Sequence, residues 1–176
     1  MDNLIEISSK NGFDVILDIR YATTNNFTGE KIYDEPICFL HEKAAENLKK
    51  AIAIAARHNF KFKIWDAFRP IKYQEFLFKK FPNGNYISDP KTGLITHCRG
   101  IAVDLTLVDE TGKELEMGTE FDDFRTKAHQ GAEGLTLEEE KNRFLLMGIM
   151  ISAGFEIFAN EWWHYQLPYV KKYPVI

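Results

Sequence analysis

Cysteine is scarce in this chain: of 176 residues only Cys38 and Cys98 carry thiols, 60 positions apart. No paired-cysteine metal motif can be built from them, and two buried free thiols in a reducing compartment are the expectation. Long apolar runs are missing too. No stretch approaches the roughly 18 residues needed to span a bilayer, which excludes a membrane-spanning helix. The first residues, MDNLIEISSKNGFDVIL, lack the basic start and apolar run of a secretory signal, so the expected address is cytoplasmic. Nor is positive charge in excess. Lys and Arg number 22 against 26 Asp and Glu, interspersed, for a net charge of −4. Without a concentrated basic surface, a general nucleic-acid binder is not expected. No repeat, low-complexity tract or linker divides the chain, so residues 1–176 read as one domain. No interface patch can be isolated, and the oligomeric state is unreadable.

What is present is a soluble globular balance, 45% hydrophobic and 27% charged. DVILDIRYAT alternates Val15, Leu17 and Ile19 against Ile16, Asp18 and Arg20, the pattern of a strand with one buried face. The turn-rich TNNFTGEKIYDEP after it reads as a loop. Residues 41–58 place Ala44, Ala45, Leu48, Ile52 and Ala55 on one side at helical spacing, an amphipathic helix flanked by His41 and His58. FKFKIW reads as a strand, and Pro70 closes it and opens the helix IKYQEFLFKKF. GIAVDLTL alternates again, with Ile101, Val103, Leu105 and Leu107 on one face. Thr136 and Glu139 form a capping box ahead of a helix that stops at Gly154. FEIF and WWHYQL then close the chain as two short strands joined by Ala-Asn-Glu. Strands and helices mix in an order that suits an α+β domain with a mostly antiparallel sheet flanked by helices.

Two of the five histidines stand apart. His97 precedes a strand on which Asp104 points away from the apolar face, and a lone inward carboxylate is costly unless paired or bound to a cation. Gly100 permits a bend that folds His97 back over that strand. A His–Asp hydrogen bond at the strand entrance and ligation of a metal both account for the pair. In FANEWWHYQL, His164 offers a third N or O donor, and two His with an Asp plus one open position is a common catalytic zinc set. Glu161 is then placed for a general base, provided a turn or distortion brings it to the side of His164; positions three apart on a regular strand face oppositely. A solvated Glu161 beside two core tryptophans is the alternative. Arg69 closes a strand, where a fixed guanidinium can stabilise an oxyanion or simply pair with Asp66.

DAFRP, HCRGIAVDLTL, GTEFDDF and NEWWHY, with RYATTNNFTG upstream, resemble the VanX-type D-alanyl-D-alanine dipeptidases of the zinc D,D-peptidase family, in family order from about residue 18 to 166. The resemblance implies the hedgehog/DD-peptidase fold and one Zn2+ per chain, held by His97, Asp104 and His164. It implies Glu161 as the base that deprotonates the zinc-bound water and Arg69 as the stabiliser of the tetrahedral intermediate. Asp122 would hold the free ammonium of a small D,D-dipeptide, Tyr21 would line its pocket, and Thr96 keeps a hydroxyl there where the family has a serine-rich approach and this chain has Ile95. Alternation along the last strand would put Trp162 beside the pocket with Trp163 behind it. The activity implied is hydrolysis of D-Ala-D-Ala to two D-alanines. A D,D-carboxypeptidase with the same centre, and a non-catalytic zinc-stabilised module, are the rivals.

Overall fold

The computed structural model describes residues 3–176. Its strands are β1 (Leu4–Glu6), β2 (Val15–Leu17), β3 (Phe39–His41), β4 (Lys61–Asp66), β5 (Ala102–Val108), β6 (Glu156–Phe158) and β7 (Glu161–Gln166). The helices are α1 (Glu42–Ala56), α2 (Ile71–Lys80) and α3 (Leu137–Ser152). Five strands form the central sheet in the order β2-β4-β5-β7-β6. The β2–β4 pair is parallel and the other pairs are antiparallel, so the α+β architecture matches the sequence pattern. A small antiparallel sheet of β1 and β3 was not expected from the turn-rich sequence around it.

The central strand is β5, and all of its residues are buried. Val103, Leu105 and Leu107 join Phe62 and Ile64 of β4 in a core that α1 closes with Ala44, Leu48, Ala51 and Ala55. Burying a side chain such as Leu48 completely contributes about 1.5–3 kcal/mol. His41 caps α1, its Nδ1 accepting the Lys43 amide at 3.2 Å, which satisfies one of the free N–H groups of the first turn. The capping box of α3 forms as expected from Thr136 and Glu139. The helix ends at Ala153, followed by Gly154 with φ of 97°.

One expected strand is shorter. β2 stops at Leu17, which is exposed at the sheet edge, because Arg20–Ala22 tighten into a 3-10 turn after the Asp18 amide donates to the Ile64 carbonyl. Of Val15, Leu17 and Ile19, only Ile19 is fully buried. Both cysteines are free and buried. Among the described residues, no helix is long and apolar enough to cross a membrane.

Gly100 turns the chain into β5. It sits at φ of 66° after the 3-10 turn His97–Arg99, and its amide donates to the His97 carbonyl at 3.0 Å. A Cβ there would lie 3.0 Å from the His41 backbone nitrogen. We therefore expect Gly100→Ala to lower stability by more than about 1 kcal/mol in urea unfolding, through both the left-handed backbone and the contact with β3. An unchanged midpoint would show that the bend tolerates a side chain.

Candidate active site

β5 and β7 pair in a register that sets Asp104 directly opposite His164. Cross-strand partners project to the same side, so the two side chains meet. The turn before Gly100 brings His97 over the same point. His97 Nε2 lies 3.2 Å from His164 Nδ1 and 3.3 Å from Asp104 Oδ2, and His164 Nδ1 is 3.0 Å from Asp104 Oδ1. Each residue thus offers one ligand atom within 4.8 Å of the others.

The outer partners decide what these atoms can do. His97 Nδ1 donates to the Ala67 carbonyl at 2.6 Å, leaving Nε2 with a lone pair. His164 Nε2 donates to Gln166 Oε1 at 3.1 Å, leaving Nδ1 with a lone pair. In those tautomers, two imidazole lone pairs and a carboxylate converge on one point. Such a donor set fits a cation, and the fixed tautomers are those of metal-ligating histidines. Cys98 does not line this cavity, and burial pushes its thiol up to about 11, so it is no competing thiolate.

The three donors line a cavity of about 100 Å3. Glu161, Arg69, Asp122, Tyr21 and Thr96 line it too, so the expected residues other than Trp162 are brought together. Glu161 Oε2 is 3.8 Å from His164 Nδ1. Burial, and then the charges of Asp104 and Asp122, raise its carboxyl well above the usual range, which suits a group that takes and returns a proton. Asp122 stands at φ of 61°, a left-handed position that aspartate tolerates. Tyr21 donates its hydroxyl across both Asp122 oxygens at 3.1 Å. Burial and then the Asp104 charge push Asp122 up to about 7, against the pull of Arg69 and Tyr21. A cation beside it would restore its ionisation.

Arg69 pairs with Asp66 and also lines the cavity. Its Nε and one terminal nitrogen donate to Asp66 Oδ2 at 3.1 and 2.6 Å, and the other terminal nitrogen donates to Gln74 Oε1 at 2.8 Å. A guanidinium has five N–H groups, so two remain for the cavity.

The model of the family described as D-ala-D-ala dipeptidase matches residues 8–174. The chain belongs to that peptidase family. The D-alanyl-D-alanine dipeptidase of Escherichia coli (strain K12) is 37% identical over 163 residues, which cover 93% of this chain and 84% of that protein. That of Enterococcus faecium is 34% identical over 180 residues, covering 89% of each. The solved structure of the LD-carboxypeptidase LdcB shares the fold, with a TM-score of 0.56 at 17% identity over 98% of this chain and 72% of its own.

In this D-Ala-D-Ala dipeptidase family member, Trp162 does not line the cavity as strand alternation predicts. Trp163 lines the cavity beside Glu161, whereas the Trp162 indole donates to Thr119 Oγ1 at 2.8 Å and lies under the Arg143 guanidinium. Simple alternation fails here because β7 leaves β5 beyond His164. Its register with β6 jumps from Ile157↔Tyr165 to Phe158↔Glu161. The same distortion lets Glu161 and His164 share one cavity. Gln74 and Gln166 were not foreseen. Gln74 is buried on α2 one turn before Leu77, and a polar residue on a helix's apolar stripe was the available signal.

The Asp66–Arg69 pair is 1% and 6% exposed at its side chains. Asp66→Ala leaves that guanidinium buried without its counter-charge, and we expect a loss of about 3–5 kcal/mol in urea unfolding. A loss below about 1 kcal/mol would mean that water replaces the carboxylate.

Proposed function

We propose that this chain hydrolyses D-Ala-D-Ala to two D-alanines as a zinc-dependent dipeptidase, with Zn2+ held by His97, Asp104 and His164. The observation that carries this reading is the convergence of the three lone-pair donors with Glu161, Arg69 and Asp122 on one small cavity. The names of the relatives in Escherichia coli and Enterococcus faecium support the substrate. When bound, Zn2+ supplies Lewis acidity, acidifying water and polarising a carbonyl oxygen.

The chain's own residues do the rest. Glu161 accepts a proton from the attacking water as the new C–O bond forms at the scissile carbonyl. The two free N–H groups of Arg69 donate to the developing oxyanion, a contact that strengthens as charge builds there. Glu161 then delivers its proton to the amide nitrogen. The C–N bond breaks, giving one D-alanine with a new carboxylate and one with a new amine.

Asp122 sets substrate length. Its carboxylate accepts only the Tyr21 hydroxyl among the described side chains, leaving room for a substrate ammonium. An N-blocked peptide brings no positive charge and leaves that half-buried carboxylate unpaired, at a cost of about 1–3 kcal/mol. Thr96 offers its hydroxyl to the same substrate, and one such site in one sheet supports the single-domain reading of residues 1–176.

Incubation of zinc-loaded protein with D-Ala-D-Ala and its N-acetyl form tests the reading. We expect the free dipeptide to be cleaved with kcat/KM at least about tenfold higher. Equal rates on both would transfer the assignment to a D,D-carboxypeptidase, and no hydrolysis of either would leave a non-catalytic module. Glu161→Gln should lower kcat by about 10²–10⁴ while the zinc content stays unchanged. A variant as fast as the wild type would remove Glu161 as the base.

A further inference from the structure

Asp66 holds Arg69 at a single point. Both the Nε and the terminal nitrogen of the guanidinium donate to the same oxygen, Asp66 Oδ2. The other oxygen, Oδ1, accepts the Tyr33 hydroxyl at 2.8 Å. A fork-to-fork pair would fix the guanidinium plane through two parallel bonds, but contacts to one oxygen leave the group free to rock about it. The Tyr21 ring, with its centroid 5.1 Å from the Arg69 carbon, limits movement on one side without supplying an acceptor.

The second fixed point is Gln74. Its Oε1 accepts the remaining terminal nitrogen of Arg69 at 2.8 Å, and its Nε2 donates to the Ser88 carbonyl at 2.7 Å. Gln74 is 2% exposed and sits on α2, a rigid element that Pro70 starts immediately after Arg69. Ser88 belongs to the connection between α2 and His97, which contributes Tyr86, Ile87, Leu94 and Ile95 to the cavity wall. One amide therefore touches both the oxyanion-stabilising arginine and the wall that encloses the substrate.

We infer that Gln74 is a positioning residue of the reaction, fixing the plane of Arg69 through its carbonyl and the cavity wall through its amide nitrogen. The inference rests on the oxyanion role proposed for Arg69. The two halves of the side chain have separable effects. The carbonyl half governs where the free N–H groups of Arg69 point, and it acts on kcat, because a misplacement of about 1 Å costs on the order of 10²-fold in rate. The amide half holds Ser88, and it acts on KM by keeping the wall closed on bound substrate.

Two variants separate these halves. Gln74→Glu keeps an acceptor for Arg69, adds a buried negative charge beside it and loses the donor to Ser88, so kcat should fall less than in Gln74→Leu while KM rises. Gln74→Leu loses both, so kcat should fall by about 10–100-fold as well. A readout free of turnover accompanies them: the Arg69 Nε–H resonance in 15N NMR should be sharp and protected in the wild type and in Gln74→Glu, and broadened in Gln74→Leu. Arg69→Lys separates this inference from the reading beneath it. If Arg69→Lys hydrolyses D-Ala-D-Ala at the wild-type rate, the oxyanion role itself falls. If Arg69→Lys is severely impaired while Gln74→Leu keeps its kcat and a sharp Arg69 resonance, the positioning role alone is overturned. Loss of kcat in Gln74→Glu equal to that in Gln74→Leu would also overturn it.

Discussion

Buried negative charge is the constraint around which this protein is organised. Asp66, Asp104 and Glu161 are each under a tenth exposed, Asp122 stands beside them, and Arg69 is the one guanidinium lining the same cavity. Asp66 takes that cation for itself. Of the remaining carboxylates, Asp104 is held below the usual range by His97 and His164 despite its burial, while Glu161 and Asp122 are both driven toward the neutral form by burial and by the Asp104 charge. Such a site is unfinished without positive charge from outside. On our reading a divalent cation supplies it between the two imidazoles and Asp104, and the substrate ammonium supplies it at Asp122.

The sheet is bent to meet that demand. Regular β pairing delivers Asp104 and His164 to one point, and it could not also deliver Glu161. Three irregularities do the rest. The register between β4 and β5 shifts between Ile64 and Asp66, which sets Asp66 opposite Asp104 and leaves Arg69 at the cavity. The register between β6 and β7 shifts at Ile157 and Phe158, which carries Glu161 to the side of His164. Distortions of this kind commonly re-aim side chains near active sites. The left-handed backbone at Gly100 is the third, returning His97 to the end of β5.

The parts of this arrangement that were legible in sequence are those set by local chemistry. The Thr136–Glu139 capping box, the Gly154 stop and the alternation of Val103, Leu105 and Leu107 each declare a local conformation, and each is found. So is the inward Asp104, because a polar residue on a buried strand advertises itself. What alternation could not give was the path of β7. It assumes a regular strand, and between Glu161 and His164 the strand is not regular, so Trp162 and Trp163 exchanged places. β1 and β3 were also illegible, since three-residue strands owe their existence to a partner distant in sequence. Gln74 shows in sequence only as a polar residue on a buried helix face, and no spacing rule connects it to Arg69 or Gln166 to His164.

On the proposed reading, the lone pairs of His97 and His164, fixed from behind by Ala67 and Gln166, join Asp104 in holding one metal ion. X-ray absorption at the zinc edge, on protein loaded with one equivalent of Zn2+, reads that shell directly. We expect one tightly held zinc per chain with only nitrogen and oxygen neighbours at about 2.0–2.2 Å. A sulfur neighbour at about 2.3 Å, or zinc that washes out of the wild type as readily as from a His164→Ala variant, would contradict it.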